Sequence, residues 1–138
     1  MANYWILKTE PDSYGYEDLL REGTGTWDGV ANAVALKHIR AMRTGDRLLI
    51  YHTGKEKQVV GAARVVSDPY PDPKSDDPKL LVFDLTAGSR WPTPVSLSTI
   101  KADPLFADHP LVRIGRLSVA PLSGAQWDRL HQLGGRAW

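Results

Sequence analysis

A lysine, a threonine and a glutamate follow one another near the start of the chain, as Lys8-Thr9-Glu10. They end a short β-prone run that Pro11 closes. Because side chains alternate along a strand, we expect Lys8 and Glu10 on one face and Thr9 on the other. In a binding site the ammonium of Lys8 would donate to a carbonyl or phosphate oxygen, and the carboxylate of Glu10 would accept from an exocyclic amine. The alternative is an ordinary ion pair at a surface strand end.

A tryptophan in a turn-rich segment provides a second set of candidates. Trp27 is followed by Asp28, Gly29 and Val30, and a helix is predicted to begin near Asn32. An indole offers a flat face for stacking a base, and the free N–H groups of a helix N-terminus can bind acceptors. The simpler interpretation is that Trp27 anchors the loop on the core and Asn32 caps the helix.

A third set, Tyr51-His52-Thr53, ends another predicted strand. Since neighbouring side chains alternate, Tyr51 and His52 cannot both face one pocket from a regular strand, so one of them should be structural. No second histidine lies at metal-ligand spacing from His52, and a hydrogen-bonded structural histidine is its simplest interpretation. We therefore expect neither a metal nor a cofactor.

Composition excludes several classes of protein. The chain has no cysteine, which removes disulfide frameworks and thiolate chemistry, and it has no G-x-S-x-G or glycine-rich phosphate loop. Its 17 basic and 16 acidic residues give a net charge of +1, so a nucleic-acid ligand would need a local site. The cations that could cluster around such a site are Lys8, Lys37, Arg40, Arg43, Arg113 and Arg116. If these cations are dispersed, a free nucleoside or nucleotide is the better ligand.

Length and termini predict one domain over residues 1–138, since 138 residues suffice for one core and not for two. The first residues lack the basic and apolar regions of a signal peptide, and no apolar run reaches the roughly 18 to 20 residues of a membrane span. We expect a cytoplasmic monomer.

The predicted elements position these candidates at strand ends and helix starts. Strands are predicted over 4–10, 46–53, 58–67, 80–86 and 111–119, with a Pro-limited edge segment over 91–97. Helices are predicted over 14–23, capped by Asp12 or Ser13, over 31–43, and from Ser123 to about Leu133. A turn is predicted at 23–25 and a loop over 68–79. Gly61 suggests a bulge or a close backbone approach. The order is not a regular β-α alternation, so an α+β domain on a curled or closed sheet is expected.

Five segments taken together resemble the EVE domain, a family related to the YTH domain within the PUA-like superfamily. The segments are YWILKTEPDSY (4–14), WDGVAN (27–32), IRAMRTGDRLLIYHT (39–53), VVGAARVVSDPYPDP (59–73) and LVRIGRLSVAPL (111–122). They occur in the family's order over nearly the whole chain. The chain is therefore identified from sequence as a member of this family.

The resemblance implies a PUA-like curved, mixed β-barrel flanked by helices, with a pocket for a single modified base of RNA or DNA. Matched residue by residue, the binding residues it implies are Lys8, Thr9, Glu10, Trp27, Gly29, Val30, Asn32, Tyr51, His52, Thr53, Arg116, Leu117 and Ser118. In this scheme Trp27 stacks on the base, while Lys8, Asn32 and the backbone near Thr53 contact its edge. The modification and the choice between RNA and DNA stay open.

Departures from the family pattern bear on the ligand rather than the fold. Ala31 stands where the family usually has arginine, which removes a phosphate or carboxylate contact, and Thr9 and Thr53 replace serine and add methyl groups to the pocket. An alternative function is an ASCH-like hydrolase of modified nucleosides, with Thr9 as nucleophile and Lys8 as its base. The two residues lie on opposite strand faces, which argues against it.

Overall fold

Seven strands, six helices and one 3-10 turn are formed by residues 3–114 and 117–135, the part of the chain that the computed structural model describes. The strands are β1 (Tyr4–Thr9), β2 (Thr24–Trp27), β3 (Arg47–His52), β4 (Gln58–Val65), β5 (Tyr70–Pro71), β6 (Leu81–Ser96) and β7 (Val119–Leu122). The helices are α1 (Pro11–Tyr14), α2 (Tyr16–Glu22), α3 (Ala33–Ala41), α4 (Leu97–Lys101), α5 (Pro110–Arg113) and α6 (Gly124–Gly134), with the 3-10 turn at Pro104–Phe106. The architecture is α+β, as predicted.

The strands form one mixed sheet in the order β2-β6-β4-β3-β1-β7, with β5 beside β6. β1 is parallel to β3 and antiparallel to β7, and Trp5, Ile6 and Leu7 are buried, so β1 is an interior strand as predicted. The prediction of a barrel is wrong. Within the described residues β2 and β7 are the two end strands of the sheet, and they do not pair with each other. Helix α3 packs against both β6 and β7.

The hairpin of β3 and β4 confirms the prediction for residues 46–67. The register of β4 with β6 shifts at Gly61, and a Cβ there would lie 2.5 Å from Cζ of Tyr16. The Tyr16 hydroxyl donates to the carbonyl of Ala62 at 2.6 Å. Both expectations for Gly61, a bulge and a close approach, are therefore met, and the approach fastens α2 to the sheet.

The helix boundaries follow local capping. Asn32 caps α3, its Oδ1 accepting from the amides of Val34 (2.9 Å) and Ala35 (3.1 Å). α6 begins after Ser123, which forms a capping box with Gln126, as predicted. The buried residues of α3 and its C-cap are Ala35, Leu36, Ile39 and Met42, the apolar stripe that the periodicity predicts.

Two predictions in the N-terminal region are wrong. Neither Asp12 nor Ser13 caps a helix; the carboxylate of Glu10 caps the one-turn α1, because Pro11 can occupy its first position, and α2 begins separately after Gly15. The stop at Gly23 is confirmed. Thr24 and Gly25 of the turn predicted at residues 23–25 belong instead to strand β2, which lies antiparallel to β6.

Two predictions in the second half are also wrong. Residues 91–96 are not a separate edge segment but continue β6, and Leu97 begins α4. The prolines fit because residues 91–94 bulge out opposite Val60. The strand predicted over 111–119 begins instead as α5: Pro110 occupies its first position and the His109 ring accepts from the amide of Leu111 at 3.0 Å. The kink expected at Gly115 lies outside the described residues.

The remaining stretches hold two small differences. The loop predicted over 68–79 contains the short strand β5, and α4 with the following 3-10 turn was not predicted. None of the helices in the described ranges is long and apolar enough to cross a membrane.

Candidate functional site

A cavity of about 290 Å³ opens between the two ends of the sheet. Its lining residues are Lys8, Thr9, Glu10, Tyr14, Thr26, Trp27, Asp28, Gly29, Val30 and Ser118. They come from the end of β1 and α1, the end of β2 with the loop that follows it, and the residue before β7. Because β2 and β7 stand at opposite ends of the strand order, one cavity can touch both only if the sheet curls. The predicted curvature is present although the closure is not.

Trp27 has both of the roles considered for it, as an anchor in the core and as a wall of the cavity. It is the last residue of β2, opposite Phe83, and it belongs to the hydrophobic core with 8% of its surface exposed. The indole also lines the cavity. It therefore anchors the loop and supplies a flat wall that a planar ligand can contact.

The backbone of Lys8 is held by Ser118, the residue before β7, and its side chain lies against Tyr51 of β3. Its main-chain amide donates to the carbonyl of Ser118 at 2.8 Å, and its Nζ lies 5.9 Å from the ring centroid of Tyr51, within cation-π range. Burial lowers the pKa of the ammonium. Burial likewise raises the pKa of the Tyr51 hydroxyl. Tyr51 thus supports Lys8 from the core rather than lining the cavity.

The Glu10 carboxylate is held at the cavity edge. Oε1 accepts from the amide of Asp12 at 3.2 Å, and Oε2 lies 3.3 Å from the Thr53 hydroxyl, which donates to it. Gly54 has φ 74°, and a Cβ there would lie 2.7 Å from Oε2. With exposed Asp28, the lining holds two carboxylates and one ammonium, so it suits a neutral ligand with amino and carbonyl groups better than a phosphate.

Tyr14, Thr26 and Asp28 line the cavity and are not among the binding residues predicted from sequence. The Thr9 hydroxyl donates to the Tyr14 carbonyl at 2.6 Å, and the Tyr14 hydroxyl donates to the carboxylate of Glu22. Burial and the neighbouring Glu22 carboxylate raise the pKa of Tyr14. Asp28 had a sequence signal, since it lies between two matched positions of one loop.

Five of the implied binding residues do not line the cavity. Asn32 is used as a helix cap, and Leu117 is buried in the core. His52 is 4% exposed: its Nε2 accepts from the amide of Tyr16 at 3.0 Å and its Nδ1 lies 2.9 Å from the Glu56 carboxylate. The structural interpretation of His52 therefore fits.

The other two of the five, Tyr51 and Thr53, stand behind Lys8 and Glu10. Arg116, a further implied binding residue, lies outside the described residues. Of the cations considered for phosphate contacts that the structure describes, only Lys8 lines the cavity, so they do not cluster around it. Two of them are engaged elsewhere. The Arg43 guanidinium donates to the carbonyls at the end of α3, and that of Arg113 donates to the Ala107 carbonyl. Across residues 3–114 and 117–135 no three His, Asp or Glu side chains are grouped to hold a metal ion.

The sequence profile of the EVE domain family matches residues 3–133. This chain belongs to the EVE domain family. Mouse thymocyte nuclear protein 1 is 29% identical over 163 aligned residues, covering 93% of this chain and 72% of the mouse protein.

Solved structures give the same picture of this EVE domain. A crystal structure of a protein from Agrobacterium tumefaciens has a TM-score of 0.93 at 35% identity, covering 97% of this chain and 94% of that one. Human THYN1, solved in complex with DNA containing 5-methylcytosine, has a TM-score of 0.86 at 26% identity, covering 96% of this chain and 98% of that one.

The ASCH protein of Zymomonas mobilis is a distant neighbour of this EVE domain, with a TM-score of 0.60 and 11% identity over 95% of both chains, so it shares the fold alone. The hydrolase alternative is not favoured. Its nucleophile, the Thr9 hydroxyl, donates to a main-chain carbonyl. Its base, Lys8, lies over the Tyr51 ring.

Proposed function

We propose that this EVE domain binds one modified base presented by DNA and carries out no reaction on it. The observation that carries the proposal is the single cavity in which the Trp27 indole meets the ammonium of Lys8 and the carboxylate of Glu10. The structure of human THYN1 with DNA containing 5-methylcytosine supports DNA as the polymer and a modified cytosine as the base.

The size of the cavity fits one base. Pockets for drug-sized ligands measure about 300 to 1,000 Å³, and this cavity of about 290 Å³ is at the low end of that range. Stacking of a base on an aromatic side chain is worth about 1 to 3 kcal/mol. Trp27 therefore supplies enough free energy to offset part of the cost of taking a base out of its stack.

The polar groups of the lining match a cytosine-like edge. Such an edge has an amino donor beside carbonyl and ring-nitrogen acceptors. Glu10 or Asp28 would accept from the amino group, and Lys8 would donate to the carbonyl. The apolar surfaces of Trp27 and Val30 are the places in the lining where a methyl substituent would be in contact without desolvating a charge.

The test is a titration of short single- and double-stranded DNA, each with one 5-methylcytosine or one cytosine, with the matching RNA as a further arm. We expect tighter binding of the methylated DNA and recovery of every ligand unchanged. Trp27→Phe should weaken binding of the methylated strand roughly three- to tenfold, a part of the full stacking energy.

Trp127→Phe is the matched control, because Trp127 is 7% exposed and packs on Tyr4 away from the cavity. Both variants should lose similar stability, and only Trp27→Phe should lose selectivity. Equal affinity of the wild type for methylated and unmethylated strands would refute the proposal for this base. Selective binding of RNA alone would correct the polymer, and chemical conversion of a ligand would restore the hydrolase.

A further inference from the structure

A second cavity, of about 310 Å³, lies beside the loop that joins β3 to β4. It is lined by Lys55, Glu56, Lys57, Ser96, Leu97, Ser98 and Lys101. We refer to it as the lysine groove. Three ammonium groups against one carboxylate make it positive, the reverse of the balance in the cavity that holds Trp27.

The carboxylate in the lysine groove is bound on its inner side. Glu56 Oε1 lies 2.9 Å from Nδ1 of His52 and 3.3 Å from Nε2 of Gln58. No ion pair between residues that the structure describes includes Lys55, Lys57 or Lys101. The positive charge of the groove is therefore available to an anion from solvent.

Most of the other ion pairs on the surface use arginine. The described arginines that pair with carboxylates are Arg21 with Asp18, Arg90 with Glu17, Arg113 with Asp108 and Arg129 with Asp103. A polyanion would have to compete with these carboxylates. The lysine groove offers three cations without that competition.

The lysine groove and the Trp27 cavity have no lining residue in common, but the loop that joins β3 to β4 connects them. Gly54 lies directly against the carboxylate of Glu10 on the cavity side, and Lys55 follows it in the chain. The loop is fixed on the groove side, because the amide of Leu97 donates to the carbonyl of Lys57 at 2.8 Å. A strand whose base occupies the cavity would thus meet the groove with its neighbouring nucleotides on one side.

We propose that the lysine groove binds the backbone phosphates of the nucleotides that flank the bound base on one side, an inference that rests on the proposed function. A near-neutral protein gains affinity for a polyanion only from such a local group of cations. These contacts add affinity without base preference, so the cavity selects the base and the groove holds the strand.

The experiment compares Lys55→Gln and Lys101→Gln with Arg64→Gln, which removes one exposed positive charge at the far end of the same hairpin. The probes are single-stranded DNA with one 5-methylcytosine, extended only on its 5′ or only on its 3′ side, and the free nucleoside 5-methyldeoxycytidine. Affinity is measured over a series of salt concentrations.

Each lysine variant should lower the slope of log affinity against log salt by about 1, weaken binding for one direction of extension only, and leave the affinity for the free nucleoside unchanged. Arg64→Gln should leave the slope as in the wild type. An equal effect of Arg64→Gln, or unchanged slopes in the lysine variants, would overturn the groove.

The two proposals fail in different ways. If the wild type selects the methylated strand and the lysine variants behave like it, the groove fails and the base site stands. If the lysine variants lose affinity for strands that the wild type does not distinguish, the groove stands and the base site fails.

Discussion

A carboxylate lies at each end of β1, and the two carboxylates differ in how many hydrogen bonds they accept within the fold. At the start of β1, Asp46 is 2% exposed and accepts from the Asn3 amide (3.0 Å), the Trp5 indole (2.9 Å) and the Arg43 amide (3.1 Å). At the other end, Glu10 is partly exposed beside the cavity, and within the described residues its carboxylate accepts only from the Asp12 amide and the Thr53 hydroxyl.

The difference assigns Asp46 to the stability of the fold and Glu10 to ligand binding. A buried carboxylate must be satisfied within the fold, and Asp46 joins β1, the end of α3 and the start of β3 in doing so. A carboxylate has about four acceptor positions, and Glu10 keeps unused capacity where a ligand can reach it. Mutations at the two ends of β1 should therefore separate stability from affinity.

The largest expected effect is on the stability of Asp46→Asn. An asparagine would turn an N–H group toward one of the three donors and remove the charge from the other hydrogen bonds, at a cost of about 3 kcal/mol or more. Urea unfolding measures this loss. The fraction that stays folded should bind methylated DNA as the wild type does. A stability loss below about 1 kcal/mol would mean that the hydrogen bonds of Asp46 are not what holds β1, the end of α3 and the start of β3 together.

The next effect, on affinity, is expected for Glu10→Gln. The amide can still accept from Asp12, so stability should change by less than about 1 kcal/mol, whereas loss of a charge-assisted bond to the base should weaken binding roughly five- to tenfold. Titration of the free nucleoside measures it without backbone contributions. Asp76→Asn, an exposed loop change of the same charge, should leave nucleoside affinity unchanged; a similar loss there would remove Glu10 from the site.

The elements that sequence predicted well have local signals. The Asn32 cap and the apolar stripe determine α3, and the Ser123-Gln126 capping box determines α6. The long strand β6 could not be predicted, because its bulge lies opposite Val60 of β4, beside the place where Tyr16 packs against Gly61. These contacts join distant parts of the chain.

The candidate site likewise has residues that sequence predicted and residues whose surroundings depend on contacts between distant parts of the chain. The predicted residues that the structure brings into the cavity are Lys8, Thr9, Glu10, Trp27, Gly29, Val30 and Ser118. His52 does not line the cavity, and its Nε2 accepts from the amide of Tyr16 at the start of α2. Alternation along a strand gives the direction of a side chain, and it does not reveal which helix covers that face.

The smallest effect is a pH dependence at the Asp46 end of β1. His109 is buried, and its Nε2 donates to the carbonyl of Pro121, which lies opposite Trp5 in the sheet. Burial lowers the pKa of His109 below its ordinary value. Protonation would also put a hydrogen on Nδ1, which accepts from the amide of Leu111.

Because the folded pKa is the lower one, the unfolded chain takes up this proton first as pH falls, and stability is lost from about pH 6.5 downward until the folded pKa is passed. Above that range the contribution is complete and constant. His38, whose pKa is lowered by burial and by Lys37, acts in the same direction. Urea unfolding between pH 7.5 and about 5 should show a decline that is shallower in His109→Gln, with nucleoside affinity of the folded protein unchanged by that substitution. A decline of equal steepness in the variant would place the titrating group elsewhere and leave His109 as packing alone.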